Sequence, residues 1–228
     1  MYKLKDEKMG AIFNLDNPVW NFMSKVADLI ILNILAIVCS VPIVTIGTSW
    51  TAMYFVTIRM VRKEESYIVK DFFRSFKENF KQSTIIWLIA LAAIAIFAGD
   101  VMIYRMIPEQ IPQVLMIAVL ILAYLVLGTI IYVFPLLSRF HNTTKGTIKN
   151  AFLVSIVNVP YTLVFVVLLV IPIIIAFFVI EAAPFILLFG FSLPAYIASI
   201  FWVRIFKKFE PKEETVQEAE GAEEMPLE

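Results

Sequence analysis

Apolar residues in this chain gather into runs of about 20 or more, the length a helix needs to cross roughly 30 Å of hydrocarbon. The runs cover residues 18–58, 83–104, 114–137, 151–180 and 185–206, with few charges inside them and basic connections between them. Composition leaves little alternative. A chain of 228 residues that is 61% hydrophobic and 17% charged, with mean hydropathy +0.85, carries more apolar surface than one water-solvated core can hide. Lipid has to solvate much of it, so the expected fold class is all-α, a polytopic transmembrane bundle, and the first expected partner is the lipid bilayer.

The run from Pro18 to about Arg59 is the hard case. Some 40 residues make about 60 Å of helix, twice what one crossing uses. Pro42 and Gly47 stand near its middle as natural breakers, which predicts a tight turn between two short antiparallel spans. Asn17 before Pro18 is a helix-start pattern, and the run is read as a retained span, since the preceding segment is long for a secretory signal. Pro160 and Pro172 predict kinks in the fifth run, not ends.

Charge placement sets the orientation. Residues 1–25, 59–82, 138–150 and 204–228 hold 18 of the 19 Lys and Arg, and only Arg105 falls elsewhere. With six spans all 18 lie on one side, whereas a single span over 18–58 would move the N-terminal four across. The expectation is six spans at about 18–40, 47–60, 83–104, 114–137, 151–180 and 185–206, with both termini cytoplasmic. Residues 1–17 are then a cytoplasmic segment, and 207–228 a disordered, Glu-rich cytoplasmic tail.

Three places stand out as candidate sites. In SYIVKDFFRSFKENFKQ, Val69, Phe72, Phe73, Phe76 and Phe80 recur at helical spacing, with Lys70, Arg74, Lys77 and Lys81 on other faces. This predicts an amphipathic cytoplasmic helix over about 66–82, lying in the interface or docking a partner. Around Pro42 and Gly47, the polar residues Asn33, Ser40, Thr45, Thr48, Ser49 and Thr51 fit either a ligand-holding broken helix or a hairpin turn whose hydroxyls satisfy freed backbone groups. Asp28, Asp100 and Asn158 are polar points in or beside apolar runs, read as pathway groups, interfacial residues or, for Asn158, interhelical packing.

Catalytic chemistry finds no constellation. Cys39 is alone, His141 sits in a basic connection without converging partners, and Lys145-Gly146-Thr147 lacks the upstream glycines of a phosphate loop. No catalytic residue, metal site or cofactor is expected, and the basic connections are explained by topology, with no nucleic acid as partner.

Two stretches carry a resemblance. The N-x-L…S-x-P-x-x-T-x-G pattern of Asn33, Leu35, Ser40, Pro42, Thr45 and Gly47, followed by the F-x-x-F-K-x-N-F-K pattern of Phe73, Phe76, Lys77, Asn79, Phe80 and Lys81, resembles the YesL-like family of bacterial membrane proteins. The likeness covers about residues 10–206. It implies a multi-pass protein of the bacterial plasma membrane, without an assigned activity or established catalytic residues, encoded beside carbohydrate ABC transporters. The expected function is a non-enzymatic accessory to carbohydrate uptake or sensing, with an ABC transporter or sensor as partner. The competing class is a small secondary transporter or channel built on the broken-helix hairpin and the intramembrane carboxylates.

Overall fold

The first apolar run breaks at its proline. Helix α1 spans Pro18–Ser40, and Pro42, without an N–H and held at φ −74° and ψ 119°, takes the chain out of the helix. One 3-10 turn follows at Ile43–Thr45, then α2 at Ile46–Arg62. The freed carbonyls find a donor in the turn, since Thr45 Oγ1 lies 2.7 Å from both Cys39 O and Pro42 O. These elements come from a computed structural model, which describes residues 18–106 and 112–209. The expectations for Asn17, for residues 1–17 and for the tail from residue 210 fall outside the described residues.

Gly47 is not a breaker, and that expectation is corrected. It is the second residue of α2, in regular helix. A Cβ there would stand 2.6 Å from Trp87 Cβ and 3.0 Å from Ser83 O, so the glycine is what lets α2 touch the next helix.

That next helix changes a second expectation. The amphipathic segment and the third span form one helix, α3, over 39 residues from Ile68 to Met106, about 58 Å long. No proline or glycine interrupts residues 68–98, so nothing lets the amphipathic part turn into the membrane plane. Its buried stripe is Ile68, Asp71, Phe72, Ser75, Asn79, Ser83, Ile86 and Ala90 at three- and four-residue steps. Phe72 is therefore a core residue, while Phe73 and Phe80 stay 39% and 43% exposed.

Helix α4 spans Gln113–Arg139 and continues through Pro135. The expected fifth span is two helices, α5 at Thr144–Val157 and α6 at Val159–Phe178, hinged at Asn158 with φ −115° and ψ 41°. Pro160 ends the helix rather than kinking it, because it cannot donate to the preceding turn and sits instead in the first turn of α6. Pro172 is carried inside α6. The final run is also divided. After a 3-10 turn at Ile180–Ala182, α7 covers Ala183–Phe189 and α8 covers Ser192–Phe206, bent by 44°.

Four of the described helices, α1, α3, α4 and α6, are long and apolar enough to cross a membrane, and the bent pair α7–α8 makes five if counted as one span. The 17 residues of α2 rise only about 25 Å. This helix is the centre of the bundle, packed on α1, α3, α4 and α8. A second cluster stacks aromatic rings, with Trp202 of α8 lying 4.4 Å from Phe165 and 4.7 Å from Tyr132 between ring centroids.

The basic connections meet at one end. Arg59 at the end of α2 reaches Glu64 and Asp71, both at 3.3 Å, and Arg139 at the end of α4 lies 3.8 Å from Glu64. Phe140 packs edge-on against Phe206 at 5.3 Å, bringing the end of α8 to the same place.

Candidate functional site

The polar residues of the bundle are joined to each other and to backbone. Asn33 is fully buried on α1, and its carboxamide sits at the break between α7 and α8. Its Oδ1 accepts from Phe191 N and Ser192 N, each at 2.9 Å, and its Nδ2 donates to Leu187 O at 2.7 Å and Ile186 O at 3.4 Å. One side chain thus caps the end of α7 and the start of α8 together, replacing backbone partners that the bend removes. Gly190 is required beside it, since a Cβ there would meet Ile186 O at 2.5 Å. Ser192 Oγ, also buried, has no partner among the described residues.

Central helix α2 extends hydroxyls to three neighbours. Ser49 donates to Ala36 O of α1 at 2.9 Å, Thr51 meets Ser83 of α3 at 3.0 Å, and Thr57 meets Ser199 of α8 at 2.8 Å. Thr51 and Thr57 also bond back to Gly47 O and Met53 O one turn earlier. Small hydroxyl residues let the backbones come close and supply interhelical bonds where hydrophobicity alone gives no preference for helix over lipid.

A third polar point joins α4, α5 and α6. Asn158 Nδ2 donates to Val154 O at 2.9 Å, while Asn158 O accepts from Tyr132 and Thr162 hydroxyls, each at 3.2 Å. The residue repairs the hinge in which it lies.

The predicted carboxylates lie apart. Asp28 lines a cleft of ≈490 Å³ at the basic end with Asn21, Ser24, Lys25, Lys63 and Glu64. Asp100 lines an apolar cavity of ≈200 Å³ with Phe97, Tyr104, Leu115 and Met116, near the far ends of α3 and α4. Ser40 is half-buried at the last residue of α1. Asp71, which the sequence reading passed over, is the carboxylate the fold uses. It accepts from Ser66 Oγ at 3.1 Å and Tyr67 N at 3.0 Å at the start of α3, and pairs with Arg59. An acidic residue in the first turn of a helix, where its side chain can reach back to a free backbone N–H, is a signal of the kind that could have found it.

On α3 the exposed face carries Val69, Phe73 and Phe80 with Arg74, Lys77 and Lys81, and Phe76 is half-buried at its edge, stacked on Phe72 at 6.1 Å. Arg74 pairs with Glu78 at 3.0 Å.

Residues 29–101 match the family described as protein of unknown function, DUF624. The DUF624 match runs from Leu29 of α1 to Val101 of α3, less than half of the chain. It takes in Asn33, the break at Pro42, the close contact at Gly47 and the aromatic-basic face, and is consistent with the YesL-like resemblance of the same residues. No curated protein and no solved structure matches the chain.

Proposed function

We propose that the chain is a non-enzymatic accessory protein of the bacterial plasma membrane, working beside a carbohydrate transporter or sensor, and that it meets this partner through the basic half of α3. The carrying observation is the continuity of α3. Its residues 68–82 extend about 22 Å beyond the apolar part of the same helix, with one face buried and the other presenting Phe73, Phe80, Arg74, Lys77 and Lys81. An aromatic and cationic surface on a rigid helix suits protein docking. The charge count supports a cytoplasmic position for it, and the carbohydrate context comes from the YesL-like resemblance alone. Crosslinking pull-down from native membranes tests the reading. Wild type is expected to capture subunits of a sugar transporter or sensor, and Phe73→Ser/Phe80→Ser to lose them while still reaching the membrane. Equal capture by both chains would refute it.

A second reading, a small secondary transporter, is favoured by the 44° bend of α7–α8 and by a cavity of ≈170 Å³ beside it, lined by Trp50, Tyr54, Phe165, Pro172 and Phe191. Discontinuous helices hold ligands in transporters through their free half-helix ends. Here Asn33 occupies those ends and the cavity wall is apolar, which favours the accessory reading. Gradient-driven uptake by purified chain in liposomes would reverse that preference.

A further inference from the structure

A groove of ≈510 Å³ runs between α3 and α4 and ends on α5. Ile86, Ala90 and Ala93 form one wall and Val126 and Val133 the other. The methyl side chains of Ala90 and Ala93 leave the space that larger residues would fill. At its end stand Lys145 and Lys149, one turn apart on the same face of α5 and both exposed. Neither has an ion-pair partner among the described residues, and no Asp or Glu lines the groove.

The depth of the two lysines is fixed by a hydrogen bond. Gln82 Nε2 donates to Thr147 Oγ1 at 3.2 Å and to Asn142 O at 3.0 Å. Gln82 closes the charged half of α3, and Ile85, Ile86, Leu88 and Ile89 follow. Lys145 and Lys149 therefore lie where this helix passes from charged to apolar, the level of lipid headgroups. Cations first and an apolar channel behind them is the polarity order of an anionic phospholipid. An apolar partner helix in the same groove would leave two ammonium groups covered without a counter-charge.

We infer that this groove binds one anionic phospholipid, its phosphate between Lys145 and Lys149 and an acyl chain along Ala90, Ala93 and Val133. A zwitterionic lipid brings its own cation against the lysines and binds less well. The site stands independently of the accessory reading, because it shares no residue with the aromatic face of α3.

Native mass spectrometry of the full chain in detergent, supplied with equal phosphatidylglycerol and phosphatidylcholine, tests it. One phosphatidylglycerol should be retained over phosphatidylcholine by on the order of tenfold, given the attraction of each lysine for an anionic headgroup. Lys145→Gln/Lys149→Gln should bring the ratio near one, with an unchanged lipid-free melting curve because both side chains are exposed. Lys207→Gln/Lys208→Gln, removing two exposed cations from the same end of the bundle, should keep the preference, and Ala93→Phe should lose the lipid by filling the groove. Millimolar inorganic phosphate should not displace it. Equal retention of both lipids by wild type, undiminished preference in Lys145→Gln/Lys149→Gln, equal loss in Lys207→Gln/Lys208→Gln, or displacement by phosphate alone would each overturn the inference.

Discussion

The indole N–H of Trp87 donates to the carbonyl of Ile43 at 2.7 Å, which fixes the α1–α2 turn at the level of the middle of α3. Gly47, four residues past Ile43, lies against the same tryptophan, so that a Cβ added to it would stand 2.6 Å from the Cβ of Trp87. Substituting Trp87→Phe removes one neutral hydrogen bond and should lower stability in micelles by about 1 kcal/mol, read from thermal melts. Gly47→Ala should cost more, roughly 1–3 kcal/mol, because it forces two packed backbones apart. Adding Trp87→Ala should give no relief, since the obstructing atom is the Cβ that alanine retains.

Asn33→Leu keeps approximate size and removes the carboxamide from the α7–α8 break. Two N–H groups and two carbonyls lose their partner, and roughly 2–4 kcal/mol should be lost in the same melts. Asn33→Asp retains an acceptor for Phe191 and Ser192 but no donor for Leu187, so it should be destabilised as well. Wild-type stability in both variants would mean that the bend is satisfied some other way.

The continuity of α3 has a direct distance test. Spin labels at Lys70 and Leu88, both exposed, should lie about 27 Å apart in a narrow distribution if 18 residues form one straight helix. An interfacial helix that turned near Gln82 into a separate span would bring the labels closer and broaden the distribution.

Two carboxylates of similar apparent promise should behave differently. Asp71 is buried and engaged by Arg59, Ser66 and the Tyr67 amide, so Asp71→Asn should cost roughly 1–3 kcal/mol. Asp28 opens on a polar cleft at the basic end, and Asp28→Asn should stay within about 0.5 kcal/mol. Denaturant titration of both variants in one detergent gives the comparison.

Local chemistry was legible from residues that act on their neighbours. Pro42 ends α1 because a missing N–H acts within one turn, and the helical spacing of Phe72, Phe76 and Phe80 was visible for the same reason. Continuity of α3 was also open to reading, since no proline or glycine separates the charged from the apolar half. The change in polarity suggested a boundary that the backbone does not make. Gly47 shows the reverse error: five residues after a proline it resembles a breaker, and only the approach of Trp87, 40 positions away in the chain, gives its reason. Asn33 was marked as unusual, but its partners at 186–192 lie more than 150 positions along the chain and no short-range pattern points to them. The bend itself left a trace in Gly190 followed by Ser192 and Pro194, a punctuation easily lost in a run otherwise apolar.

Asn33 also sets an order on how the molecule can be made. Its carboxamide belongs to α1, and every hydrogen-bonding partner found for it lies more than 150 residues later, in α7 and α8 and the break between them. Until residues 183–206 are in place, the carboxamide of Asn33 lacks these partners, and a polar group without partners at membrane depth is costly. Docking of the bent α7–α8 pair is thus what gives the Asn33 carboxamide its partners, and a lesion near Gly190 should be felt as early turnover of the whole chain.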